Sequence, residues 1–255
     1  ALSERVDFLL LAGDIYDRDW QDFHTGLFFR GQMVRLERAG IRCFIVQGNH
    51  DAQGVISRQL TLPSNVTVFS SRAAQTVKLD DLSVAIHGRS FPEREVNEDL
   101  VPSYPPPVSG YFNIGLLHTS LTGRAGHDTY APTDLPTLVA KGYDCWALGH
   151  VHAREVLNER PRIVFCGNLQ GRHAKETGVK GCELVTVEAG RIEAEFIALD
   201  VVRWSRLSVP LDGVDRLESL NEAFARALEP VLDGTTDRLH AVRVTLTGSP
   251  EKNGR

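Results

Sequence analysis

The sequence has little cysteine and no paired cysteine motif. Cys43, Cys145, Cys166 and Cys182 are spread over 255 residues with no C-x-x-C among them. That spacing argues for buried free thiols in a reducing compartment rather than a thiolate metal site or nucleophile. No run approaches about 18 unbroken apolar residues, so no spanning helix is expected. The first residues, Ala1-Leu2-Ser3-Glu4-Arg5, lack the basic-then-apolar pattern of an export signal, and the expected location is the cytoplasm. An excess of basic charge is also missing. Lys and Arg number 28 against 33 Asp and Glu, a net charge of −5. This argues against a uniformly basic surface that takes any polyanion, while leaving room for a local basic groove. Internal repeats and low-complexity tracts are absent.

What is present is an alternation of apolar strands and amphipathic helices. Hydrophobic residues make up 42%, enough for one large domain, or one plus a fragment. Val6–Ala12 is nearly all apolar, which suits a strand covered on both faces, and Gly13-Asp14 ends it. Residues 22–39 carry Leu27, Phe28, Met33, Val34 and Leu36 at helical spacing, with Gly40 as the stop. Phe23, Phe28 and Phe29 read as core packing. Ile41–Val46 is a second buried strand and Ala52–Leu60 a short helix. Shorter strands follow at Val66–Phe69, Thr76–Leu79 and Leu82–His87. Phe91–Gly110 reads as an ordered loop, stiffened by Pro105-Pro106-Pro107. Strands at Phe112–His118 and Tyr143–Leu148 flank a helix at Leu135–Lys141. Arg162–Phe165 is a further strand, and Cys182–Val187 and Arg191–Leu199 form a hairpin about Glu188-Ala189-Gly190. From about residue 200 the character changes to a strand at Val201–Pro210, an amphipathic helix at Val214–Leu228 and a strand at Leu239–Thr247. That unit is too small to hold a good core alone. The expected fold class is α/β, with domains at 1–199 and 200–255.

Polar clusters stand at the carboxyl ends of four strands, where open α/β sheets gather their sites. Asp14 follows Leu9-Leu10-Leu11-Ala12-Gly13, and Gly48-Asn49-His50-Asp51 follows Ile41–Val46. His118 follows Ile114-Gly115-Leu116-Leu117, and His150-Val151-His152 follows Trp146-Ala147-Leu148-Gly149. Burying such groups unpaired costs several kcal/mol, on the order of 2–7 for a neutral one, and a metal cluster offsets that. Asp14, Asn49, His118, His150 and His152 share one logic. Imidazole, carboxylate and amide oxygen suit manganese, iron or zinc better than calcium. One carboxylate can bridge two ions. Two ions about 3.5–4 Å apart can clamp a phosphate and lower the pKa of a bridging water. His150 and His152, two apart, face one side in a strand or diverge in a turn.

In order, Gly13-Asp14, Gly48-Asn49-His50-Asp51, His118 and Gly149-His150-Val151-His152 resemble the motifs of the calcineurin-like metallophosphoesterases. Three stretches resemble more closely the SbcD-related branch of bacterial DNA-repair exonucleases, its YhaO-like members in particular. They are His118-Thr119-Ser120-Leu121, His127-Asp128-Thr129-Tyr130-Ala131-Pro132 and Gly167-Asn168-Leu169-Gln170-Gly171-Arg172-His173. The likeness covers residues 1 to about 200 and is thin beyond. It implies a two-sheet metallophosphoesterase sandwich flanked by helices, then the start of a small α+β capping domain. It implies metal-dependent phosphodiester hydrolysis, a DNA exonuclease in repair, with two divalent metal ions, manganese (Mn2+) the expected one. Asp14 would bridge both ions, Asn49, His118 and His150 would hold the second, and His152 the first. His50 would face the phosphate and protonate or stabilise the leaving oxygen, oriented by Asp17. Arg172, His173 and His127 lie in loops that would approach substrate. The implied partners are DNA and an SbcC-like coiled-coil ATPase, with no membrane, and a homodimer is a further expectation. Arg154, Arg160, Arg162, Arg172, Lys175 and Lys180 cluster after the last motif and either track a nucleic-acid backbone or form a solvated basic face.

One departure bears on all of this. The family's Asp-x-His motif belongs on a strand before Gly13-Asp14, and residues 1–13 contain no histidine. Without that pair the first ion keeps only Asp14 and His152. The expectation is an upstream strand missing from this chain, one tightly held ion, and little turnover for the chain alone. Two other functions stay open. A phosphatase or small-molecule phosphodiesterase is favoured by Asp14-x-x-Asp17-Arg18 and opposed by Asp51, where protein phosphatases carry glutamate. A non-catalytic scaffold of the same fold is favoured by the missing pair and opposed by the intact remaining motifs. Arg18 reads as a solvated arginine and His87 as a satisfied core histidine.

Overall fold

The apolar runs fold as strands of two sheets in a computed structural model that describes residues 1–16, 23–52, 54, 60–122, 130–232 and 237–249. Strands β1 (Phe8–Leu11), β2 (Arg42–Ile45) and β3 (Val66–Val68) form a parallel sheet. The second sheet holds β4 (Gln75–Leu79), β5 (Val84–Gly88), β6 (Phe112–His118), β7 (Cys145–Gly149), β8 (Glu155–Glu159) and β9 (Arg162–Phe165), in the order β4-β5-β6-β7-β9-β8. Its four inner strands are parallel and its two edges antiparallel.

Alternation along each strand sorts the side chains into layers. Phe8, Leu10 and Phe44 of the first sheet meet Ile86, Ile114 and Leu116 of the second across the interior. The outer face of the first sheet sends Leu9 and Cys43 to Met33 and Leu36 of helix α1 (Phe23–Arg38). The outer face of the second lays Trp146, Leu148, Ile163 and Phe165 against Leu138 of helix α2 (Leu135–Ala140) and against Phe91, Leu100 and Tyr104. Each such side chain, fully buried, contributes about 1.5–3 kcal/mol. This is the two-sheet sandwich with outer helices that the motifs imply.

Local chemistry sets the ends of the helices. The Asp134 carboxylate accepts from Thr137 N at 2.8 Å and caps α2. After α1, Gly40 at φ +73° lets Ile41 N return to Leu36 O at 2.9 Å. The proline-rich loop is ordered because its polar groups find partners. Tyr104 Oη donates to Leu116 O at 2.8 Å, and Lys141 Nζ donates to Tyr104 O.

Some expectations are corrected. β1 is half-buried along its length rather than fully covered, because among the described strands it pairs with β2 alone. Strand β8 was not anticipated; its sequence Glu-Val-Leu-Asn-Glu is polar at both ends, as suits an edge with a register shift between Val156 and Asn158. Phe28 is 68% exposed and Phe23 is also exposed, so the aromatic group is not core packing as a whole. Cys43 and Cys145 are buried, whereas Cys166 and Cys182 are half-buried. The helix expected over residues 52–60 falls largely outside the described residues.

By compactness the chain parts into residues 1–167 with 187–192, and residues 168–186 with 193–255. The change of character at residue 200 marks a division of sequence. Strands β10 (Gly181–Glu188) and β11 (Arg191–Ala198) pair about a turn in which Ala189 and Gly190 both have positive φ. Strands β12 (Val202–Pro210) and β13 (Leu239–Thr247) are parallel and linked through helix α3 (Leu217–Leu232), which runs past Leu228 and carries Pro230. Asp200, its side chain wholly buried, anchors this unit by accepting from Arg203 Nε at 2.8 Å and Nη2 at 3.1 Å.

Candidate metal centre

Four strand ends converge at one seam of the sandwich. Asp14 lies just past β1, Asn49 past β2, His118 ends β6 and His150 follows β7. Ligand atoms of Asp14, His118 and His150 all lie within 4.8 Å of one another. His118 is at the centre and 0% exposed. Its Nδ1 is 2.8 Å from Ala12 O, and its Nε2 is 2.9 Å from Asn49 Oδ1, 3.4 Å from Asp14 Oδ2 and 3.3 Å from His150 Nδ1.

The fit to a metal can be judged from those distances. A carbonyl oxygen only accepts, so Nδ1 of His118 carries the proton. Its Nε2 then faces an amide oxygen and a carboxylate oxygen. Two oxygens converging on one imidazole nitrogen in a buried site form an arrangement that a cation among them would satisfy. A ligating histidine with its other nitrogen on a backbone carbonyl is a recurrent arrangement at metal sites. The donor set of two imidazoles, a carboxylate and an amide oxygen fits a borderline divalent ion.

The backbone is shaped to allow this approach. Asp14 at φ +54° and His150 at φ +95° both occupy the left-handed region, which costs on the order of 1–3 kcal/mol for a residue other than glycine. Gly48 has no room for a side chain, since a Cβ there would lie 2.5 Å from Asp14 Oδ1 and 2.6 Å from His118 Cε1. Gly149 is as tight, with a Cβ falling 1.8 Å from Ala12 O.

Asp51 ties the two ligand loops together. It is 2% exposed and accepts from Gly48 N at 3.1 Å, Ile15 N at 3.2 Å and Tyr16 N at 3.1 Å. Burial first, then the charge of Asp14, push its pKa up to about 6, against the pull of the three N–H donors. Tyr16 is pushed up to about 12, by burial and then by Asp51. Sequence reasoning gave Asp51 no structural part. Its place two residues after Asn49 was the available hint, whereas the Ala12 carbonyl left no signal, being backbone.

The other expected residues are placed as follows. The His50 backbone N–H donates to Asp14 Oδ1 at 3.1 Å, and its half-buried side chain stands on the same loop as Asn49. His152 is half-buried and lies outside the Asp14–His118–His150 triplet. Asp17 and His127 fall outside the described residues. Arg172 and His173 belong to the second unit, where Arg172 Nη2 is 3.3 Å and His173 Nε2 3.9 Å from Glu176 Oε1. Of the basic run, Arg162 is 6% exposed on Glu159, Lys180 is buried, and the six residues divide between the two units. His87 is a buried core histidine, bonded to Thr76 and Asn113.

Residues 1–154, more than half of the chain, match the family model for calcineurin-like phosphoesterases. The chain belongs to the calcineurin-like phosphoesterase family. Members of that family use divalent metals, in keeping with the seam just described. Residues 204–254 of this phosphoesterase also match the middle domain of the metallophosphoesterase YhaO. The chain is 38% identical over 224 residues to the uncharacterized metallophosphoesterase YhaO of Bacillus subtilis (strain 168), an alignment that covers 86% of this chain. It spans 55%, about half, of that relative's length. No helix among the described residues is long and apolar enough to cross a membrane.

Proposed function

We propose that this phosphoesterase hydrolyses phosphodiesters, with DNA as substrate and exonucleolytic repair as the setting, in the cytoplasm. The observation that carries the hydrolytic reading is the confrontation at His118, whose Nε2 meets Asn49 Oδ1 and Asp14 Oδ2. Asp14, Asn49, His118 and His150 would hold one divalent ion, and Asp14 with His152 would contribute to a second. Manganese is the expected ion, supplying Lewis acidity toward phosphoryl oxygens and a water of lowered pKa.

The protein's own contribution is to orient substrate and to manage a proton. His50 is fixed through its backbone bond to Asp14, so its imidazole is carried beside the cluster without joining the triplet. In this role it donates a proton to the leaving oxygen or stabilises the charge that develops there. The choice of DNA rests on likeness to the exonuclease branch, as does an SbcC-like ATPase partner and a homodimer. Arg172 and His173, engaged with Glu176, are assigned to substrate binding on the same ground.

The test uses the natural polypeptide at its full encoded length. Hydrolysis of a nitrophenyl phosphodiester, a nitrophenyl monoester and single-stranded DNA is compared, with metal content measured alongside. Diester and DNA hydrolysis with manganese is the expected result, and activity on the monoester alone overturns it. His50→Gln should abolish turnover and leave bound metal in place, while Asp14→Asn should lower both. If the two variants behave alike, the division of roles is wrong.

A further inference from the structure

We propose that Tyr130 is a positioning residue for the metal cluster, holding the His150 imidazole so that its Nδ1 faces His118. The inference rests on reading the cluster as a metal site. Four rings run in succession through the seam, each set edge to face against the next. Phe91 and His118 have centroids 5.3 Å apart at 88°, His118 and His150 5.2 Å at 81°, and His150 and Tyr130 5.3 Å at 60°. Edge-to-face contact between such rings is favourable and directional.

The two histidines are anchored differently. His118 ends a central strand, is wholly buried, and is fixed by Ala12 O. His150 lies past the end of β7 in the left-handed region and is half-buried. Sheet pairing does not set its ring, and the Tyr130 ring packs against it.

Tyr130 is itself delivered by a clamp on the residues just after His118. Ser120 N donates to Tyr130 O at 2.9 Å, and Tyr130 N returns to Ser120 Oγ at 3.1 Å. Thr119 Oγ1 donates to Ala131 O at 2.7 Å, and Thr122 N to Thr133 O at 2.8 Å. Thr119, Ser120 and Thr133 are buried polar residues, a placement that costs free energy unless bonded in this way. The proline-rich loop supports the clamp from outside. Val96 O accepts from Ala131 N at 2.6 Å, and Asp99 Oδ2 accepts from Thr133 Oγ1 at 3.1 Å. The loop and the clamp thereby gain one function, to present a single ring to a single ligand.

A ligand histidine held in place beforehand need not be ordered when the ion arrives. Loss of such outer support lowers metal affinity by about 10–100-fold. The experiment titrates the full-length protein and its variants with Mn2+ by calorimetry and with Co2+ by visible absorption. Unfolding of each metal-free variant is measured separately. Tyr130→Ala should weaken both ions by at least about tenfold and alter the Co2+ spectrum, while Tyr130→Phe, which keeps the ring, should bind as the parent does. Should Tyr130→Ala fail to unfold cooperatively, Tyr130→Leu takes its place with the same expectation. Parent-like affinity and spectrum in the ring-less variant overturn the inference. So does a Phe variant as weak as the Ala variant, since the hydroxyl and not the ring would then matter. If the parent itself binds neither ion, the metal reading fails, and this inference with it.

Discussion

Replacing Asp51 tests whether one carboxylate holds the two ligand loops together. Asp51→Ala would leave three donors, a buried one on Gly48 and half-buried ones on Ile15 and Tyr16, without their acceptor. At about 1–3 kcal/mol for each orphaned donor, the gross loss is roughly 3–9 kcal/mol. An opposing effect reduces it. The Asp51 carboxyl is raised from 3.8 to about 6, so the ionised group itself burdens the fold. That difference is worth about 3 kcal/mol. The net loss for Asp51→Ala is therefore centred on about 3 kcal/mol. Asp51→Asn removes the charge and keeps one oxygen, which can take the two N–H groups now on Oδ2. Its NH2 then meets the third donor, at about 1–3 kcal/mol, which nearly cancels the relief of charge. Urea unfolding of the metal-free protein at pH 7.5 should rank Asp51→Ala well below the parent and Asp51→Asn within about 1–2 kcal/mol of it. Equal damage from the two variants, or none from either, would refute the clasp.

Gly48→Ala should press its methyl on Asp14 and His118, costing about 1–3 kcal/mol of stability and at least about tenfold in Mn2+ affinity; calorimetry showing parent-like affinity contradicts it. Saturating Mn2+ should stabilise the parent against unfolding, by about 2.7 kcal/mol at a hundredfold excess over Kd, and not stabilise Asp14→Asn. The absence of any stabilisation would mean that the cluster does not bind Mn2+. In the second unit, burial pushes the Asp200 carboxyl up, but bonds and charge from Arg203, the Lys180 N–H and the Arg238 charge outweigh it and hold it below 3.8. A folded pKa below the unfolded one gives stability that is complete above about pH 4 and fades as pH falls through the folded value. The stability gap between parent and Asp200→Asn, followed by urea unfolding, should therefore close on acidification. A gap that stays constant from pH 7 to strong acid counts against the ion pair.

Most of the fold was legible because its strands announce themselves. Phe112–His118, Arg162–Phe165 and Leu239–Thr247 are strands over the residues that their apolar runs delimit. β8 was hidden because an edge strand with polar ends carries no buried alternation. The exposure of Phe28 was hidden as well, because periodicity shows that a helix has an apolar face without saying how much of it is covered. At the seam, Asp14, His118 and His150 could be read as a group from their positions after apolar strands, and the structure brings them together. The geometry between them could not be read. It depends on a backbone carbonyl at residue 12, on left-handed φ at Asp14 and His150, and on a carboxylate at residue 51 that serves three amides.

The seam also bears on how the sandwich itself closes. His118 belongs to the six-stranded sheet, yet its Nδ1 bonds Ala12, just beyond the end of β1 in the other sheet. Gly149, at the end of β7, lies so near the same carbonyl that any side chain there would collide with it. The two sheets are thus pinned at their carboxyl ends by the residues that form the cluster. The same side chains that would hold an ion therefore also span the two sheets. Interactions within a packed interior are felt at their neighbours, because little free volume absorbs a shift. Ligand geometry and sheet closure are for this reason one structural problem. Substitutions at Gly48, Asp51 or Gly149 should register in metal affinity and in the stability of the first unit at once, whereas a change at Asp200, in the second unit, should register in stability alone.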